Sequence, residues 1–177
     1  MSGIVLAGFG GQGILFAGKL LAKLAMKKEK QVTWIPSYGP EMRGGTCNCS
    51  VIIDDELIGS PLVTHPDILF AFNLPSFKKF EPAVKAGGLV FADSTLITEK
   101  SERTDVEAHY IPATEIASDN ELSGLANVVM LGAMLRVTRI FDYDFVEAEL
   151  VSSVPKSKPQ LAELNKKALR LGYDYKE

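Results

Sequence analysis

The sequence predicts an α/β fold: a mainly parallel sheet with one antiparallel hairpin and a helical C-terminal part. Three observations predict it. Short apolar runs alternate with helical spacings in the front of the chain. A glycine-rich turn joins the first apolar run to the first helical pattern. From Ala113 onward the spacing is helical throughout.

The elements follow in order. Gly3-Ile-Val-Leu-Ala7 has no helical period and reads as a buried strand. A helix follows from Gly13 to Lys28, with Leu15, Phe16, Leu20, Leu24 and Ala25 on one side. Lys19, Lys23 and Lys27 recur every four residues on the other, as a solvated face or a surface for an acidic partner. Gln31 to Ile35 is a strand ended by Pro36. Thr46 to Ile53 alternates, with Cys47, Cys49, Val51 and Ile53 on one face. Asp54-Asp55 reads as a turn into a short strand at Glu56 to Ile58, a hairpin at or near a sheet edge. Further strands are expected at Ile68 to Phe72, Leu89 to Ala92 and Val106 to Ile111, with a short helix opened by Asn73. Long helices are expected at Ser123 to Arg139, Asp144 to Val154 and Pro159 to Leu171. Gly132-Ala133 inside the first of them implies close packing on a neighbour.

At 177 residues, one domain covering 1–177 is expected. Hydrophobic residues at 46% and charged residues at 23% exclude a disordered chain. Nineteen Lys and Arg against 22 Asp and Glu, a net charge of −3, argue against nucleic acid or a membrane as partner. No apolar run reaches the roughly 18–20 residues of a membrane span, and the glycine-broken N-terminus is not a secretory signal. Cys47 and Cys49, two apart on one strand, are poorly placed to bridge each other, so a reduced, cytoplasmic protein is expected. With His65 and His109 as the two histidines, no metal or iron–sulfur site made by this chain alone is expected.

Gly8-x-Gly10-x-x-Gly13 lies directly between a strand and a helix, which makes the expected fold Rossmann-like and doubly wound. Three readings stay open. A nicotinamide site needs an acidic residue or an arginine at the end of the second strand; that strand ends Trp34-Ile35-Pro36-Ser37, and Glu29 precedes it. The glycines, with Gly11 among them, can serve only a tight junction. Or the helix N-terminus can take a phosphate or pyrophosphate, helped by Gln12. The anion reading is the favoured one.

The loop Ser37-Tyr-Gly-Pro-Glu-Met-Arg-Gly-Gly-Thr46 is expected on the same rim. Ser37 and Tyr38 bring hydroxyls, and Arg43 brings a planar five-donor fork suited to phosphate or carboxylate. Gly39, Gly44 and Gly45 allow close approach; in the plainer alternative Arg43 pairs with Glu41 on a surface loop. Asn73 and Ser76, and Asp93-Ser94, also follow strands and belong to this rim. No nucleophile–base pair emerges, so the residues describe a binding or assembly domain.

Taken together, Gly8-Phe-Gly-Gly-Gln-Gly-Ile14, Ala17-Gly18-Lys19, the run from Thr33 to Thr46 and Asn48-Cys-Ser-Val-Ile-Ile53 resemble the gamma subunit of 2-oxoacid:ferredoxin oxidoreductases. The likeness continues through Ile58-Gly-Ser-Pro61, Pro66-Asp67, the Asn73-x-Pro75-Ser76 step, Gly87-Gly88 and Ser94. It is similar to the 2-oxoglutarate-type or general 2-oxoacid branch, with the pyruvate, branched-chain and indolepyruvate branches open. The resemblance implies a heteromeric complex that decarboxylates a 2-oxoacid oxidatively to an acyl-CoA and reduces ferredoxin. It implies thiamine diphosphate and Mg²⁺ between alpha and beta subunits. Iron–sulfur clusters would sit in the beta subunit and a ferredoxin-like delta subunit. No cofactor would be held by this chain alone, and its rim would help accept coenzyme A. Gly8, Gly10, Gly11, Gln12 and Gly13 match the family's glycine loop, and Ser37, Tyr38, Gly39, Met42, Arg43, Gly44 and Gly45 its second loop. The rival expectations are a stand-alone nucleotide-binding module and a scaffold paralogue. A homodimer of the isolated chain is also kept open.

Overall fold

A computed structural model describes residues 2–38, 46–155 and 157–176. Six strands form one sheet: β1 (Ser2–Phe9), β2 (Gln31–Tyr38), β3 (Thr46–Asp54), β4 (Ile68–Ala71), β5 (Leu89–Asp93) and β6 (Glu107–Ile111). Their spatial order is β2-β3-β1-β4-β5-β6. β1, β4, β5 and β6 pair parallel, while β3 runs against both β1 and β2. The sheet is thus mainly parallel with a hairpin at one edge. Strands inside such a sheet are covered on both faces. Accordingly all four residues of β4 are buried, as are Ile4 to Ala7 of β1.

The hairpin is not the expected one. β3 returns beside β2, and residues 55–67 form no strand. Two causes act together. Both edges of β3 are taken, one by β1 and one by β2. Asp54 Oδ1 accepts the N–H groups of Asp55 at 2.8 Å and Glu56 at 3.4 Å, which turns the chain away. Leu57 is left 87% exposed, with no face to bury.

One face of the sheet carries α1 (Ile14–Lys27), α4 (Ala126–Thr138), α5 (Tyr143–Ser152) and α6 (Gln160–Asp174). Across β4, β5 and β6, Phe70, Phe91 and His109 are register neighbours that stack at 5.4 and 5.1 Å. The opposite face packs Val5, Ala7, Leu69, Val90 and Ala92 under α2 (Leu74–Phe80), which carries Phe77, and under Ile97. A further short helix, α3 (Ala113–Asp119), follows β6.

The neighbour implied by Gly132 is α6. A Cβ at Gly132 would strike Leu169 O, and one at Gly172 would strike Val129 O, so α4 and α6 meet backbone to backbone. The lysine row of α1 lies at the surface, and two of its members also form ion pairs within the chain. Lys23 and Lys27 reach Glu149 of α5 at 3.3 and 2.6 Å. Among the described residues, no helix is long and apolar enough to cross a membrane.

Candidate functional site

The rim at the carboxyl ends of the parallel strands is set by register. Gly8 stands opposite Cys47, which stands opposite Tyr38 on β2. Ala7, Ala71 and Ala92 lie in one row across β1, β4 and β5. The glycine loop, the described ends of β2 and β3 at Tyr38 and Thr46, Asn73 and Ser94 therefore converge on one edge, as a ligand rim of an open α/β sheet requires. Ser37 is exposed there. Gly39, Met42, Arg43, Gly44 and Gly45 lie outside the described residues, as does the side chain of Tyr38.

In the glycine loop, Gln12 N donates to Phe9 O at 3.2 Å and closes the turn. Gly11 and Gly13 take φ of +102° and +76°, values that L side chains adopt with strain. Gly8 is crowded: an added Cβ would lie 2.5 Å from Gln12 Oε1 and 3.0 Å from Phe72 Cβ. Gln12 is already engaged at both ends. Its Oε1 accepts from Phe9 N at 2.6 Å, and its Nε2 donates to Phe72 O at 3.0 Å. It braces the loop against β4. Any ligand contact is left to the second Nε2 hydrogen.

Gly13 also caps α1, with no side-chain cap and no acidic residue in the first turn. The first N–H groups of α1 are thus available to an anion. Asn127, 3% exposed at the start of α4, donates through Nδ2 to Gly13 O at 3.1 Å. The sequence signal for Asn127 was its place at the head of the otherwise apolar run Asn127 to Leu135.

A cleft of about 600 Å³ opens beside the loop. Gly11, Gln12, Phe72 and Leu96 form one wall, and Thr114, Ser118, Glu121 and Ser123 the other. Nothing in the motifs pointed to that far wall, which comes from α3 and the α3–α4 connection. Asp93, fully buried, ties it in place: Oδ1 accepts from Thr95 N at 3.2 Å and Thr114 N at 3.3 Å, and Oδ2 accepts the Thr114 hydroxyl at 2.5 Å. Asn73 and Ser76 sit under the rim, 4% and 6% exposed. Asn73 Oδ1 caps α2 by accepting Ser76 N at 2.8 Å. Its Nδ2, a buried donor, has no partner among the described residues.

The thiols do not fit an iron–sulfur cluster. Both are free and buried, and burial pushes Cys49 up to about 12, whereas clusters need four thiolates. Among the described residues no group of three or more His, Cys, Asp or Glu is placed to hold a metal ion. His65 lies at the surface with Nδ1 3.3 Å from Ala83 O, and His109 pairs with Glu107 at 3.0 Å; neither belongs to the cleft.

The sequence matches the pyruvate ferredoxin/flavodoxin oxidoreductase family over residues 3–175. The chain belongs to this family. Within the pyruvate ferredoxin/flavodoxin oxidoreductases, it is 41% identical to the 2-oxoglutarate synthase subunit KorC of Methanocaldococcus jannaschii, over 97% of this chain and 91% of that one. It is 39% identical to the ketoisovalerate oxidoreductase subunit VorA of Methanothermobacter marburgensis, again over 97% of this chain but only 36% of that longer protein. The crystal structure of a keto/oxoacid ferredoxin oxidoreductase gamma subunit from Geobacter sulfurreducens superposes with a TM-score of 0.82 at 31% identity, covering 98% of this chain and 97% of that one.

Proposed function

We propose that this chain is the gamma-type subunit of a heteromeric 2-oxoacid:ferredoxin oxidoreductase, and that its glycine-framed rim helps accept coenzyme A. The observation that carries the reading is the end-to-end match to a 2-oxoglutarate synthase subunit of nearly the same extent. The reaction is the oxidative decarboxylation of a 2-oxoacid to an acyl-CoA, with electrons passed to ferredoxin. Thiamine diphosphate, Mg²⁺ and the clusters belong to alpha, beta and ferredoxin-like delta partners. Coenzyme A supplies the thiol that receives the acyl group.

This chain's own residues support an accepting part and not a catalytic one. The described cleft offers the first N–H groups of α1 and the hydroxyls of Ser118 and Ser123, with Glu121 as the carboxylate on its far wall and the Asn73 Nδ2 donor buried beneath the rim. The cleft can hold a flexible arm beside an anion at the helix end. The second loop adds Ser37, Tyr38 and Arg43 to the proposal on the strength of their chemistry: two hydroxyls, and a guanidinium suited to a coenzyme A phosphate or an acidic group of the beta subunit.

Co-expression with the neighbouring reading frames, followed by a 2-oxoacid panel with ferredoxin or viologen as acceptor, tests the reading. Turnover is expected from the assembled complex and none from this chain alone. Turnover by the solitary chain, or no partner captured, would overturn it. Arg43→Ala is expected to raise the coenzyme A KM of the complex about tenfold, or to lower its yield. Unchanged kinetics with unchanged yield would remove Arg43 from the site.

A further inference from the structure

A second concave surface lies away from the rim. It is a groove of about 630 Å³ between α1 and β2, apolar along most of its length. Phe16, Leu20 and Met26 of α1 line one side, Val32 and Trp34 of β2 the other. Phe16 is 44% exposed and Met26 65%, both large apolar side chains on one helix flank. β2 is the last strand of the sheet, so no described strand lies beyond it. Contiguous exposed apolar surface of this kind marks a contact surface more often than it marks idle surface.

The charges on the lip are unequal. Lys23 is answered by Glu149 at 3.3 Å and by the Ser153 hydroxyl at 2.9 Å. Lys19, beside Phe16 on the same lip, has no acidic group within 4.0 Å among the described residues. An occupant that complements this groove brings apolar side chains for its floor and a carboxylate for Lys19. Addition of a further strand is the poorer fit, because Pro36 interrupts β2 as a donor row.

We propose that the α1–β2 groove seats an acidic amphipathic segment of a partner subunit. The proposal rests on the subunit reading above and names the surface through which the chain joins its complex. An apolar floor with one cation at its lip follows the general anatomy of subunit contacts, in which a buried apolar centre gives affinity and rim charge gives orientation.

The test uses the complex assembled by co-expression. Met26→Asp and Lys19→Glu are exposed substitutions expected to leave the melting temperature of the isolated chain unchanged. Each is expected to weaken assembly at least tenfold, while Leu57→Asp, 87% exposed and outside the groove, leaves it unchanged. A photocrosslinking p-benzoylphenylalanine at position 26 is expected to label a partner subunit on an acidic peptide. Wild-type assembly of both groove variants would overturn the proposal, and so would crosslinks made only to a second copy of this chain. Failure of the unsubstituted chain to capture any neighbour would overturn the subunit assignment and this surface with it.

Discussion

Gln12 shows at the scale of one residue how the rim is held. Sequence spacing marks it as a polar group at a helix start, open to a ligand. The fold commits its amide to Phe9 N at the end of β1 and Phe72 O just past the end of β4. Gln12→Ala removes both bonds and is expected to cost about 1–2 kcal/mol, a fall in melting temperature of roughly 2–8 °C. Gln12→Glu keeps the acceptor for Phe9 N but sets a carboxylate oxygen against Phe72 O, and is expected to cost at least as much as the lost bond, about 1 kcal/mol. Calorimetry that finds no loss for Gln12→Ala would dismiss the brace. Cys49 carries a second residue-scale expectation. It has no exposure, and burial raises its pKa to about 12. The unfolded thiol titrates at about 8.5. The unfolded state therefore sheds the proton first, and stability is expected to fall as pH rises above about 8.5 toward 12. Cys49→Ala is expected to flatten that part of the pH profile. An unaltered slope in urea titrations at pH 8 and pH 10 would refute the assignment.

Among the elements, α4 and α6 make the tightest contact. Gly132 and Gly172 each lie where a Cβ would strike the partner helix's backbone. Backbone cannot swing aside as a side chain does, so Gly132→Ala must push the helices apart. The expected cost is about 1–3 kcal/mol, read as a lower urea midpoint with an unchanged m-value. Neutral behaviour would mean that the helices can slide. The glycine inside a helical pattern announced this contact. Its partner was unreadable, because Gly172 lies forty positions further along, with no periodicity to link the two. The edge hairpin was hidden for a related reason. Alternation at Cys47, Cys49, Val51 and Ile53 tells which face is buried, but a strand's neighbours are chosen by long-range pairing. The lysines of α1 were legible as a row, yet not as ligands of Glu149. That carboxyl is held below its ordinary range, chiefly by its hydrogen bond from Lys27.

At the scale of the whole molecule, the sheet brings distant segments to one rim, and α1 with β2 forms a groove on another side. The proposed subunit role is tested at this scale. Turnover that appears only on assembly, and loss of assembly on charging the α1–β2 groove, are the two outcomes that belong to this scale.

The α/β class, the strand–glycine loop–helix unit and the shared rim were readable from the residues alone. They depend on local periodicity, on glycine's backbone freedom and on the rule that parallel strands end together. The far wall of the cleft, the caps that occupy Asn73 and Gln12, the edge position of β2 and the groove beside it depend on which distant segments meet. Such meetings are settled by packing and pairing energies summed over the folded chain, and no local pattern records them.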